Sequence, residues 1–136
     1  MPSYKEMVLS HFDARGVYYT ELNSDVDNTV RVVFAGNNVE QIRIRMAFDS
    51  DGESLVRFAC EAIGRFVNKE EGYDRCNEAN SRWRWVRFHI NEDGEIIADL
   101  DAYLVADSCG EECYFLLRQL VRAIDEAFPL IARRVY

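Results

Sequence analysis

Lysine is nearly missing from this chain. Only Lys5 and Lys69 stand among its 16 basic residues, and the rest are arginine. A GC-rich coding bias accounts for that pattern, and planar pairing with carboxylates at a surface is the functional alternative. Basic stretches are missing altogether. Against the 16 basic residues stand 24 acidic ones, for a formal charge of -8 and a pI near 4.8. The acidity is spread along the chain, with 7 basic against 10 acidic groups up to residue 68 and 9 against 14 beyond it. Without a cationic segment to neutralise phosphates, nucleic acid is excluded as a partner. No apolar run approaches the roughly 20 residues that cross a bilayer, so no membrane association is expected. Pro2-Ser3-Tyr4-Lys5-Glu6 leads straight into a helix without the apolar stretch of a secretory signal, which points to a cytoplasmic protein.

Catalytic signatures are also missing. Histidine occurs twice, His11 on the first helix and His89 on a strand, and no nucleophile motif, glycine-rich phosphate loop or His-Glu-x-x-His accompanies either. Cys60, Cys76, Cys109 and Cys113 lie in ordered, mostly apolar segments, and free buried thiols are expected rather than disulfides. Cys109 sits near a helix N-terminus, where a thiolate could be stabilised, and Cys113 follows it on the same helix face. Structural zinc would need two further ligands that no Cys-x2-Cys or His pair supplies. Asp49-x-Asp51-Gly52 and Asn91-x-Asp93-Gly94 place oxygens at alternate positions, but the glycine comes too early for an EF-hand loop and strands flank both. They read as hairpin turns. No metal, cofactor or catalytic residue is expected.

What is present is periodicity. Ser3 and Glu6 form a capping-box spacing before an apolar stripe of Tyr4, Met7, Val8 and Phe12 (or His11), and Gly16 stops that helix. Residues 17–24 are β-rich but irregular. Over 29–35, Val30, Val32 and Phe34 alternate with Arg31, Val33 and Ala35. Over 40–48, Ile42, Ile44, Met46 and Phe48 alternate with Gln41, Arg43, Arg45 and Ala47, with a turn at Gly36-Asn37-Asn38 between the two runs. Asp51-Gly52 turns the chain into a further strand, Leu55–Ala62. Asn68 and Glu71 mark a second helix with the stripe Tyr73, Cys76, Ala79 or Asn80, and Trp83.

Strand 84–90 puts Val86, Phe88 and Ile90 on one face and Trp85, Arg87 and His89 on the other. Strand 95–104 turns Ile96, Ala98, Leu100 and Ala102 inward and Ile97, Asp99, Asp101 and Tyr103 outward. Ser108 and Glu111 form another capping box, opening a helix with the stripe Cys113, Leu116, Leu117, Leu120, Ile124, Ala127 and Ile131. Pro129 predicts a kink or break near Asp125–Phe128. The sum is one α+β domain over residues 1–136: a single antiparallel sheet with helices on one face, in the order α-β-β-β-α-β-β-α, or with one strand more if residues 17–24 pair.

The order of motifs from Tyr73 onward carries a resemblance. Asn77 and Asn80 end a helix. Arg84, Val86, Arg87 and Phe88 follow in a strand, and Glu92-Asp93-Gly94 makes the turn. Asp99 and Asp101 lie in the returning strand, and Ile124-Asp125-Glu126-Ala127-Phe128-Pro129 closes the last helix. Upstream, Phe48-Asp49-Ser50-Asp51-Gly52 fits the same pattern. The chain resembles the YbjN family of bacterial sensory transduction regulators. That resemblance implies a fold like the type III secretion chaperones, usually dimeric and used to hold another protein, with no catalytic residues to carry over. Trp83 and Trp85, flanking Arg84, depart from the family pattern.

The period-two register places Arg43, Arg45, Arg57, Trp85, Arg87 and Tyr103 on the sheet's polar face, beside His89, Ile97, Asp99 and Asp101. Cross-strand Arg–Asp pairs on a solvated surface are one account of this face. Trp, Tyr and Arg together are the composition of binding hot spots, which makes it a candidate partner-binding or dimer face. Asn77 and Asn80 read as bonding backbone where the helix meets the strand. The expected function is non-enzymatic protein binding by a cytoplasmic homodimer through surface complementarity, with an exposed strand edge able to accept a partner segment. Two alternatives stand beside it. One is a small-molecule sensor or enzyme with a pocket between sheet and helices, built around a polar cluster of Asn77, Asn80 and His89. The other is a structural subunit of a larger assembly.

Overall fold

Strands form where apolar residues recur at every second position, and helices where they recur every three or four. The structure, a computed structural model, describes residues 3–22, 28–49 and 54–131. Helix α1 (Tyr4–Arg15) is followed by strands β1 (Thr20–Glu21), β2 (Thr29–Phe34), β3 (Ile42–Phe48) and β4 (Leu55–Cys60). Helix α2 (Lys69–Arg82), strands β5 (Arg87–Ile90) and β6 (Ile96–Tyr103) and helix α3 (Cys109–Ile131) complete the chain. The strands form one antiparallel sheet in the order β1-β2-β3-β4-β6-β5. The irregular segment 17–24 supplies only the two-residue edge strand β1, and the part of it from residue 23 lies outside the described residues, as does the expected turn at Asp51-Gly52.

The apolar side of each strand faces the helices. Val30 and Val32, then Ile42, Ile44, Met46 and Phe48, then Val56 and Phe58, then Phe88, then Ile96, Ala98 and Leu100 are buried there. Helix α3 lies across this layer with Cys113, Leu117, Leu120, Ile124, Ala127 and Ile131 fully enclosed or nearly so. Helix α1 adds Val8, Leu9 and Phe12 to the core, and Tyr4 and Met7, expected on its stripe, are only partly covered. Ser3 caps that helix by accepting from the Glu6 amide at 3.1 Å, and its hydroxyl donates to the Glu6 carboxylate at 3.2 Å. Gly16 ends it with φ 74, the left-handed conformation glycine adopts without penalty.

Three local expectations are corrected. In α2 the enclosed position is Gly72, not Tyr73, which is 56% exposed. The helix approaches Phe66 and Ile90 so closely that a Cβ at residue 72 would stand 2.7 Å from Ile90 Cδ1 and 3.0 Å from Phe66 Cδ2. At the start of α3, the Ser108 hydroxyl donates to the carboxylate of Glu112, one residue beyond Glu111. The strand expected over 84–90 begins only at Arg87.

Pro129 lies inside α3 without breaking it. Proline lacks the amide that would bond to the Asp125 carbonyl one turn back. That carbonyl accepts instead from the Asn38 side-chain amide at 2.9 Å. The Asp125 carboxylate in turn accepts the backbone amides of Asn37, Asn38 and Val39 at 3.0, 2.7 and 3.0 Å. The β2–β3 turn is thereby fastened to the last helix. Gly36 permits it, because any Cβ there would collide with the Asp125 carboxylate.

Candidate functional site

With the helices on one side, the other side of the sheet is open to solvent. The register sets Arg31, Arg45, Ala59, Asp99 and Arg87 in one row across five strands, with Ala47, Arg57 and Asp101 in the next row. Arg31 and Arg45 are directly opposed like charges, a destabilising pair in isolation. The Glu61 carboxylate relieves them, 3.2 Å from Arg45 and 3.6 Å from Arg31. Arg57 donates through two nitrogens to Asp101, at 2.9 and 3.4 Å. Arg87 grips Asp99 in the same way, at 3.1 and 3.0 Å, and His89 Nε2 lies 3.0 Å from that carboxylate. Asp99 is only 7% exposed. Burial pushes its carboxyl up, but the hydrogen bonds from Arg87 and His89 outweigh burial and hold it below the usual carboxylate value.

The exposed pairs, Arg31 and Arg45 with Glu61 and Arg57 with Asp101, do little for stability. Exposed ion pairs contribute about 0–1 kcal/mol each. The two-nitrogen contacts also have a positional effect, fixing the guanidinium planes of Arg57 and Arg87 against their carboxylates. Among the described residues Arg43 bonds only the Gln41 side-chain oxygen. Tyr103, opposite Leu55, is 78% exposed. Among the described residues the face thus pairs Arg31, Arg45, Arg57 and Arg87 with the carboxylates of Glu61, Asp99 and Asp101, on a chain whose formal charge is -8.

Five of the six residues picked from the sequence (Arg43, Arg45, Arg57, Arg87 and Tyr103) meet on this face. Trp85 does not. Residues 84–86 form a turn between α2 and β5, and the Trp85 ring packs beside Phe115 of α3, with centroids 6.3 Å apart. There it borders a depression between α2 and α3 lined by Trp83, Arg122 and Glu126, on the helical side of the sheet. The alternation in Trp83-Arg84-Trp85-Val86 suits a strand, but α2 extends to Arg82 and leaves too little chain for one.

The expected polar cluster of Asn77, Asn80 and His89 does not assemble. Asn80 works on backbone: its amide donates to the Phe88 carbonyl at 3.0 Å, and its oxygen accepts from the Phe88 amide at 2.7 Å. Asn77 is exposed, and His89 is on the open face. The Asn91 turn is a local backbone device as expected, with Asn91 Oδ1 accepting the amides of Asp93 and Glu95 and Gly94 at φ 79. Asp51 and Gly52, of the other calcium-like turn, lie outside the described residues.

All four cysteines are free and buried. Desolvation pushes Cys60 and Cys76 up to about 11, and it raises Cys109 and Cys113 as well, so Cys109 is not an activated thiol. No group of His, Cys, Asp or Glu among the described residues is placed to hold a metal, and no helix among them is long and apolar enough to cross a membrane. Sequence reasoning missed Asp125 and the shallow groove of about 850 Å³ beside it, between α3, the end of α1 and the β2–β3 turn. The groove's lining is scattered over three elements, and no local pattern announces it.

Comparison with known proteins gives the family. No curated protein sequence matches the chain. Among solved structures, YbjN from E. coli aligns with a TM-score of 0.64 at 10% identity, covering 95% of this chain and 92% of that one. The ExsC–ExsE complex aligns at 0.60 with 12% identity over 96% and 92% of the two chains. The Yersinia pestis type III secretion chaperone SycH, in complex with a stable fragment of YscM2, aligns at 0.56 with 12% identity over 94% and 99%. At these identities the likeness is one of fold, and the fold is that of the type III secretion chaperones. The model of one family, described as "Putative bacterial sensory transduction regulator", matches residues 5–133. The chain belongs to the YbjN family.

Proposed function

We propose that this chain is a non-enzymatic, chaperone-like or regulatory protein-binding domain whose open sheet face is the docking surface. The observation that carries the reading is the cationic, aromatic-bearing face on an otherwise acidic chain. The guanidinium nitrogens not spent on Asp101 and Asp99 offer further donors to a partner's carboxylates, and Tyr103 gives a large apolar contact at low entropic cost. The fold supports the reading, since two of the similar solved structures are complexes with another polypeptide. The working unit is a homodimer in the cytoplasm.

The test is affinity capture from a native lysate of the source cell, with the parent protein set against an Arg45→Glu/Arg57→Glu variant. Proteins enriched by the parent should fall by about tenfold or more in the variant, because like charges facing each other across an interface cost several kcal/mol. Trp85→Asp, off the face, should capture as the parent does. Equal capture by parent and double variant, with matching far-UV circular dichroism, would remove this face from the function. Light scattering on the eluting peak checks the dimer, and a monomer mass would overturn that part.

A further inference from the structure

The sheet has two outer edges, and they are finished differently. At β5 the outward amide and carbonyl of Phe88 are both taken by the Asn80 side chain. At the other edge, the short strand β1 covers β2 only as far as Arg31. Alternation of hydrogen bonds along an antiparallel strand decides which groups remain. The Phe48 amide donates to the Asn28 carbonyl, so Asn28, Val30, Val32 and Phe34 bond toward β3. The Leu22 amide donates to the Thr29 carbonyl, so Thr29, Arg31 and Val33 bond away from β3. Among the described residues no strand lies opposite Val33, and its outward amide and carbonyl have no backbone partner there.

Cations flank this bare stretch on both sides of the sheet. On the helical side, the guanidinium groups of Arg15 and Arg118 lie over the Tyr114 ring, 4.7 and 5.7 Å from its centroid, in a recess that also borders Val33. Neither has a carboxylate partner among the described residues. On the open side, Arg43 is directly across from Val33 and, among the described residues, bonds only Gln41. The nearby carboxylate of Asp125 is already occupied by three backbone amides, which leaves Glu111 as the other acid bordering the adjoining groove.

We infer that the edge of β2 at Val33 binds an extended acidic segment of a partner protein, which joins the sheet as an added strand between Arg15 and Arg118 on one side and Arg43 on the other. The inference rests on the protein-binding reading but uses a different surface from the open face. Successive side chains of an added strand point to opposite faces. Carboxylates on one face therefore reach Arg15 and Arg118, with apolar neighbours against Tyr114, while those on the other reach Arg43. Main-chain pairing supplies affinity without sequence, and the arginines select for acid.

The experiment is selection of a phage-displayed random dodecapeptide library on the immobilised full chain, followed by fluorescence-polarisation titration of the enriched peptides. The inference expects peptides rich in Asp and Glu. Their affinity should drop by about tenfold or more in Arg15→Glu/Arg118→Glu and in Val33→Pro, and stay within about twofold in Arg45→Glu. Proline at 33 deletes an outward amide that no described strand uses, which edge strands tolerate, and circular dichroism confirms the fold. Bound peptide should also slow hydrogen exchange at the Val33 amide. Enriched peptides that ignore both edge variants, or a selection yielding no binder, would overturn the inference. Peptides lost in Arg45→Glu alone would overturn it too, while leaving the open face in place as the docking surface.

Discussion

The carboxylate of Asp125 accepts three backbone amides from a turn almost ninety residues earlier in the chain, and its own carbonyl accepts a fourth donor, the Asn38 side chain. Desolvation pushes this carboxyl up, but the amides of Asn38, Asn37 and Val39 outweigh it and hold it below the usual carboxylate value. A folded-state pKa below the unfolded one gives stability that is complete above the ordinary carboxylate range and lost as pH falls through the depressed value. Asp125→Ala should cost about 2 kcal/mol at neutral pH, read from urea midpoints, since charge-assisted bonds contribute about 1.5–3 kcal/mol. Asp125→Asn should cost less at neutral pH and flatten the acid limb of the stability profile, and an unchanged acid limb would show that the carboxylate charge is not what binds the turn. The thiols make a second prediction at this scale. With Cys60 and Cys76 pushed to about 11, only about one in a thousand of either is ionised at pH 8. Ellman's reagent should therefore label the native protein far more slowly than the urea-unfolded chain.

Elements reveal what a pattern can and cannot announce. The strands were legible because one face of the sheet is buried and the other wet, which writes a period of two into 29–35, 40–48 and 95–104. Helix α2 was harder. Its close approach to Phe66 and Ile90 selects a residue with no side chain, so the enclosed position, Gly72, leaves no apolar mark and the neighbouring Tyr73 draws attention instead. Gly72→Ala tests this. Helix propensity favours alanine by about 1 kcal/mol, whereas overpacking costs about 1–3 kcal/mol. The predicted net is a lower melting temperature, and a rise would mean that Ile90 swings away freely. Asn80 was visible as a motif, though its partner was not, because Phe88 is brought to it only when β5 folds back along α2. Asn80→Ala should lose about 1–2 kcal/mol and accelerate hydrogen exchange at the Phe88 amide. It should also bare the β5 edge and promote self-association on concentration.

At the scale of the whole molecule, antiparallel order and one-sided helices followed from consecutive hairpins, and so did most of the candidate face. Trp85 falls off the face because a helix-to-strand turn and the first residues of a strand can share one alternating sequence. The edge at Val33 could not be read at all: it exists only because β1 stops early. The proposed docking by arginines has a collective signature. Capture through the open face should weaken as salt rises from low to near-molar concentration, where the screening length shrinks from about 10 Å at 0.1 M to 3 Å at 1 M. Salt-independent capture would point to Tyr103 and the apolar contacts as the source of affinity. The tie between the β2–β3 turn and α3 also sets a timetable. At roughly 5–20 residues per second on a ribosome, some 86 residues separate the synthesis of Val39 from that of Asp125, or about 4–17 s. Throughout that interval the hairpin waits without its fastener and without α3 over its apolar face.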